Sequence, residues 1–323
     1  MRQEHSGPIQ VLFGVASEDD PVCEVVRGLQ SEFPSVDAEL VVCSPLHGAN
    51  AKAAKLSHLE RFARYELLVI SDADVKAPPD FLANVLAPLQ QPEIGLVNCF
   101  YCLSNPSTLA LQWEAVAINA DFWSQVLQAQ DLKRLDFALG AAMATRRQQL
   151  RDIGGWATLA NCLADDYQLG NRIALAGYRI ALSPIVVECW TRKMGWGEVW
   201  RHQLRWGRTI RVCQPLPYFF SILANATLWP GLWALARPSS LSLAFALVAL
   251  LVRSFSARNL QARLLSSPQS KIKNKKIKIP LWLAPLKDVL QIAVWLGAFV
   301  GNRIEWAGRR MTLRPDGTLK LAR

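Results

Sequence analysis

Short apolar runs alternate with amphipathic stretches through most of the chain, and long apolar runs fill its last third. Ile9 to Val15 predicts a strand that ends in Ala16-Ser17-Glu18-Asp19-Asp20-Pro21. Val22 to Phe33 predicts a helix, stopped by Pro34. Ala38 to Cys43 predicts a second strand, and a loop holding Gly48-Ala49-Asn50-Ala51-Lys52 leads into a helix from about Ala53 to Arg64. Leu67-Leu68-Val69-Ile70 predicts a third strand and Ile94 to Leu103 a fourth. Strands alternating with helices of this length predict an α/β fold built on a parallel sheet. Leu109 to Gln130 follows as a long helix, then Phe137 to Thr145, an apolar stretch interrupted by Gly140. A glycine there fits either a close approach of the backbone to another group or a bulge. Ala164-Asp165-Asp166-Tyr167 opens a helix that Gly177 ends, and Asp165 there can serve as a cap.

The pattern changes near Glu198. Glu198 to Val212 predicts an amphipathic helix with Arg201, Arg205, Arg208 and Arg211 on one side and Val199, Gln203, Trp206 and Ile210 on the other. Arg and Trp beside an apolar run fit an interfacial helix. Leu216 to Ala236 is nearly free of charge, Ser239 to Ala257 carries only Arg253, and Leu281 to Gly301 is interrupted by Lys287-Asp288. The expected division is therefore an α/β domain over 1–197, an interfacial helix over 198–215 and a membrane region over 216–323.

Composition strengthens the membrane reading. Hydrophobic residues make up 51% of the chain, with 12 Trp. The net charge of +10 is concentrated at the end: from Leu216 onward stand 16 Lys and Arg against 3 Asp and Glu. Basic charge beside apolar runs suits anionic lipid headgroups better than nucleic acid. The loop with Lys271, Lys273, Lys275, Lys276 and Lys278 and the Arg-rich tail should both be cytoplasmic. Leu216 to Ala236 and Ser239 to Ala257 would then cross as a hairpin, with Leu281 to Gly301 in the interface or re-entrant. Seven cysteines without a paired framework fit a reducing compartment. Strand alternation sends Cys99 and Cys102 to opposite faces, which argues against a redox or zinc pair. The polar stretch Met1 to Gln10 shows no signal peptide.

The chemistry concentrates at Ser71-Asp72-Ala73-Asp74. Carboxylates two apart at the end of a buried strand point the same way, so Asp72 and Asp74 can share one divalent ion, Mg or Mn, that carries a diphosphate. The plainer alternative is a strand cap and a turn leading to Pro78-Pro79.

Glu18-Asp19-Asp20-Pro21, Asn50-Ala51-Lys52, Ser71-Asp72-Ala73-Asp74, Ala164-Asp165-Asp166-Tyr167 and His202-Gln203-Leu204-Arg205-Trp206 together resemble the ceramide glucosyltransferases and their bacterial, hopanoid-associated relatives. Ile304-Glu305-Trp306 to Gly317 also looks like that family's C-terminus. The resemblance implies a GT-A catalytic domain followed by C-terminal membrane helices. It also implies an inverting transfer of a hexose from a UDP-sugar to the hydroxyl of a membrane lipid. By the same resemblance Asp20, Asn50, Lys52 and Asp72 belong to the nucleotide-sugar site, Asp72 and Asp74 to the metal, and Asp166 is the general base. Arg205 and Trp206 close the motif whose first position, Gln or Arg in the family, is His202 here. The family's N-terminal membrane helix and first strand have no counterpart before Ile9. A processive polysaccharide synthase and an inactive, truncated membrane-associated relative are the alternatives. An integral membrane protein with its catalytic domain in the cytoplasm, at a bacterial inner membrane, is the expected setting.

Overall fold

The computed structural model describes residues 3–266, 279–280, 282–306 and 308–321. Strands β1 (Gln10–Val15) and β2 (Asp37–Val42) pair in parallel, from Gln10 opposite Asp37 to Val15 opposite Val42. The helix Val22–Glu32 connects them and turns Cys23 and Val26 inward.

A separate five-stranded sheet carries the main core. Its members are β3 (Leu67–Ser71), β4 (Val75–Lys76), β5 (Ile94–Leu103), β6 (Ala142–Arg146) and β7 (Arg179–Cys189), in the order β3-β6-β5-β7-β4. Only β5 and β7 run parallel; β6 is antiparallel to both β3 and β5, and β4 is antiparallel to β7. The α/β class therefore stands, while the expected parallel sheet is mixed. Hydrophobic alternation decides which face a residue takes and says nothing of strand direction. That alternation is visible in β5 and β6. Leu96 and Met143 pack on one face with Leu150, Leu169 and Ile173, and Val97, Cys99, Ala142 and Ala144 pack on the other with Val85 and Ile185. Cys102 packs apart from Cys99, against Val186 and Leu264. All seven cysteines are free.

The long helix after β5 is present from Leu109 to Leu132, with a wider π-type turn over Ala117–Phe122. That turn lets Asn119, fully buried, bond both the N–H (2.8 Å) and the carbonyl (3.1 Å) of Leu103. It also places Asp121 for the charge cluster described below.

The helix Trp196–Cys213 buries Val199, Gln203 and Gly207. Its arginines do not form one solvent-facing stripe. Arg201 is exposed, but Arg208 donates to the carbonyls of Val300 (2.9 Å) and Arg303, Arg211 reaches Asn302, and Arg205 is turned into the protein. The carbonyls just past the end of the helix Leu283–Phe299 thus draw Arg208 across, and the Asn302 side chain draws Arg211. Beyond them β8 (Arg303–Trp306), β9 (Arg309–Leu313) and β10 (Leu319–Leu321) form an antiparallel sheet. It is stitched to the α/β body by Leu163 N–H to Gly317 carbonyl (3.2 Å) and Leu319 N–H to Asn161 carbonyl (2.7 Å).

Leu216 to Ala236 is not one straight rod. Pro215–Ala224 and Leu228–Ala236 meet at 54°. Ser240–Leu265 is continuous, and by length and composition it is long and apolar enough to cross a membrane. The five lysines from Lys271 to Lys278 lie outside the described residues.

Candidate active site

Two helix starts converge on the end of β3. Asn50 caps the helix Ala51–Leu59, its Oδ1 accepting from Ala53 N–H at 3.0 Å. Its Nδ2 donates to the Cys162 carbonyl (2.8 Å) and to Asp165 Oδ1 (3.1 Å), so one buried amide fastens the two helix starts together. Close contact of the loops requires Gly48, whose φ is +117° and whose missing Cβ would collide with the Ala160 carbonyl. Lys52, in the first turn, reaches across to Asp72 Oδ1 (2.5 Å), to the Gly140 carbonyl (3.1 Å) and to within 3.8 Å of Asp165 Oδ2. A lysine at a helix N-terminus opposes the helix dipole. The neighbouring carboxylates offset that.

Asp165 and Asp166 open the helix Asp165–Leu175. Ala164, not Asp165, holds the cap position, and Asp165 is buried with its Oδ2 free of any hydrogen bond. Asp166 is half-buried and accepts from Tyr167 N–H at 2.8 Å. A Cβ on Gly140 would lie 2.5 Å from Asp166 Oδ2. That glycine therefore marks a close approach, and strand β6 begins two residues after it, at Ala142.

Electrostatics follow from crowding. Three carboxyls, Asp72, Asp165 and Asp166, share Lys52. Burial and the nearby Asp165 push Asp166 up to about 6. Burial likewise raises Asp72, against the pull of Lys52. Burial works against the charge of Lys52, yet Asp165 and Asp72 outweigh it and raise its pKa. An excess of negative charge of this kind invites a further cation.

Arg205 supplies positive charge from the other side. Burial lowers its pKa, against the fields of Asp166 and Glu114. Glu114, 2% exposed, accepts from Gln203 Nε2 (2.8 Å) and meets His202 Nδ1 at 2.6 Å. His202 lies on Trp206, ring centroids 4.7 Å apart. Glu114 was missed in the sequence, although a lone acid in the apolar stretch Leu109–Val116 is a usable signal.

Not every expected residue joins this cluster. Asp74 is exposed, two residues past Asp72 in the turn before β4, where its carbonyl accepts from Trp190 N–H. Asp20 is exposed after β1, and its carboxylate accepts from Val22 N–H at 3.1 Å. Trp206 is half-buried against the cluster around Leu111, Trp113 and Val199. Among the described residues no group of three His, Cys, Asp or Glu gathers as metal ligands. A divalent ion held through two carboxylates, with substrate phosphates and water completing its shell, needs no more than Asp72 and Asp74.

Two curated proteins of Caenorhabditis elegans align: ceramide glucosyltransferase 3, 25% identical over 177 residues, and ceramide glucosyltransferase 1, 24% identical over 183. These stretches cover 54% and 56% of this chain but only 38% of either relative. The crystal structure of S. aureus TarS 1–349 in complex with UDP-GlcNAc is similar over 100% of this chain and 93% of that one, at 12% identity and a TM-score of 0.39. The profile of Glycosyl transferase family 21 matches residues 3–319, and the chain belongs to that family.

Proposed function

We propose that the protein is an inverting glycosyltransferase of the GT-A type, moving one hexose from a UDP-sugar to the hydroxyl of a membrane lipid of the ceramide or hopanoid kind. The observation that carries this reading is the Asp166 carboxyl. It is raised to about 6 and lies close against Gly140, while Lys52 pairs with Asp72 instead. A base poised near neutral pH suits removal of a proton from an alcohol as it attacks.

In the proposed reaction the acceptor hydroxyl gives its proton to Asp166 while its oxygen bonds to the anomeric carbon. The bond to the diphosphate breaks on the opposite face, and its electron pair leaves with UDP. Lys52 lies beside Asp72 to meet the developing charge. A Mg or Mn ion held by Asp72 and Asp74 would neutralise the diphosphate. Asn50 holds Asp165 and so the start of the helix that presents Asp166. Glu114 fixes the His202-Gln203 turn and, through it, the side of the helix that offers Arg205 to Asp166. Asp20 and Trp206 complete the proposal as a nucleotide contact and an acceptor-side aromatic. The names of the two aligned relatives support a ceramide-like acceptor.

The test is turnover of UDP-glucose and UDP-N-acetylglucosamine by membranes carrying the full chain, supplied with a lipid extract. A single-sugar lipid product that Asp166→Asn abolishes is expected. A polymeric product, or transfer unaffected by Asp166→Asn, overturns the reading.

A further inference from the structure

The helix Ser240–Leu265 changes character part-way along. Between Ser240 and Arg253 its exposed side chains are apolar, with Leu241, Leu243, Leu247 and Val252 between 58% and 70% exposed. After Phe255 the exposed positions are Ser256, Arg258, Asn259, Ala262 and Arg263. Over this second part Ala257 and Leu264 are buried, Ala257 in the cluster of Leu111 and Trp113 and Leu264 against Cys102 and Val186. One half of the helix therefore belongs to the α/β body, and the other half projects from it.

A charge cluster marks the junction. Arg253 donates to both oxygens of Asp288 (2.8 Å each) and to Asp121 (2.9 Å), and Lys287 pairs with Asp121 at 2.8 Å. The break in the preceding apolar segment is tied to the same place. Thr227 Oγ1 donates to Asp288 Oδ2 (2.8 Å) and Asn225 Nδ2 to the Asp288 carbonyl (2.9 Å). From there two arms project together, Leu228–Ala236 and the first half of Ser240–Leu265, with Trp233 edge-on to Phe245 at 5.3 Å.

We propose that this hairpin is a wedge that enters one leaflet of a lipid bilayer without crossing it, with the Asp121, Arg253, Lys287 and Asp288 cluster at the level of the membrane surface. Ser240–Leu265 as a whole is long enough to cross, but only the part before the charge cluster projects, and that part is short of a full crossing. At 1.5 Å per residue, Leu228–Ala236 reaches about 14 Å and Ser240 to Phe255 about 24 Å. The hydrocarbon core is about 30 Å thick. Placing the cluster deeper would carry four charged groups, enclosed by the protein but 6–13% exposed, to hydrocarbon depth, which is costly even when they are paired. The return path agrees. The helix Leu283–Phe299 buries Lys287 and Asp288, and the strands after it pair with residues 161–163 of the α/β body. The chain thus ends on the side where it began. A bilayer is the occupant because apolar surface covers the exposed sides of the projecting arm, where a protein groove would need only one stripe. Trp229 and Trp233 on the shorter arm and the basic excess after Leu216 suit an anionic headgroup layer.

The inference goes beyond the catalytic proposal, and its test does not read activity. Single cysteines are introduced as Glu18→Cys on the α/β body, Arg310→Cys on the last sheet and Ser239→Cys at the hairpin tip. Each is treated with an impermeant maleimide in intact cells and in inverted vesicles, over the background of the unaltered chain. Glu18→Cys and Arg310→Cys should react from one and the same side, and Ser239→Cys from neither until detergent is added. Reaction of Ser239→Cys from the side opposite Glu18→Cys means the hairpin crosses; reaction from the same side means it lies in water. Either outcome, or opposite sides for Glu18→Cys and Arg310→Cys, overturns the proposal. A second variant, Leu243→Asp with Leu247→Asp, alters only exposed positions. It should lose at least tenfold of its retention on anionic vesicles with an unchanged circular dichroism spectrum, and full retention counts against the wedge.

Discussion

Replacing Asp166 by Asn should separate stability from activity. The carboxyl sits at about 6 rather than its ordinary 3.8, because it is buried beside Asp165. One pKa unit corresponds to about 1.4 kcal/mol, so the ionised form costs the fold at most about 3 kcal/mol. A raised carboxyl pKa makes stability fall as pH rises. The cost is complete above about pH 6, shrinks below that, and is gone near the ordinary carboxyl value. Asn is isosteric, keeps an oxygen for Tyr167 N–H and carries no charge. The variant should therefore be about 1–3 kcal/mol more stable at pH 7.5, an increase of a few degrees in Tm, with roughly half of that advantage left at pH 5. Its transfer activity should be lost by 10²-fold or more, on the order of a general base's contribution. Wild-type turnover should fall about tenfold per pH unit below about 6. The assays are thermal unfolding in detergent at three pH values and initial rates over the same range. An Asn variant that is less stable at pH 7.5, or whose advantage grows on acidification, refutes this account of the site.

Four further substitutions probe its neighbours. Lys52→Met removes the cation shared by Asp72 and Asp165, and should cost about 1–3 kcal/mol of stability and weaken UDP-sugar binding about tenfold by titration calorimetry. Asp72→Asn should abolish transfer, and excess EDTA should do the same to the wild type; activity surviving either treatment removes the metal from the mechanism. Gly140→Ala pushes a methyl to 2.5 Å from Asp166 Oδ2 and should lower kcat at least tenfold while Tm moves by only a few degrees. Glu114→Gln leaves His202 and Gln203 with a neutral partner and should lower kcat more than it raises KM; an unchanged kcat would make Glu114 a structural acid only.

What could be read in the sequence and what could not divide along physical lines. Strand β5 at Ile94–Leu103, the helix Val22–Glu32 and the helix opened by Asp165 were legible because their periodicity and end signals are local. The grouping of Asn50, Lys52, Asp72 and Asp166 was legible only through the family resemblance, since it depends on two helix starts meeting across more than a hundred residues. The direction of β6 was not legible, because pairing direction leaves no mark in alternation. The arginine face of Trp196–Cys213 was misread for a related reason. Helical phase put Arg201, Arg205, Arg208 and Arg211 on one side, but the fields of Asp166 and Glu114, the carbonyls of Val300 and Arg303, and the side chain of Asn302 claimed three of the four positive charges. Lys287 and Asp288 show the converse. In the sequence they interrupt an apolar run and weaken it as a span; in the fold they are the partners that Asp121 and Arg253 require. A charge inside an apolar segment is an expense that only a distant partner can explain. Here all four charges answer one another, so removing any one should leave the others buried without neutralisation. Arg253→Met is accordingly expected to destabilise more than the double change Arg253→Met with Asp288→Asn, a non-additivity measurable by a double-mutant cycle in thermal unfolding. If the two single losses simply summed, the cluster would be a set of incidental surface contacts, and the depth it assigns to the wedge would have no basis.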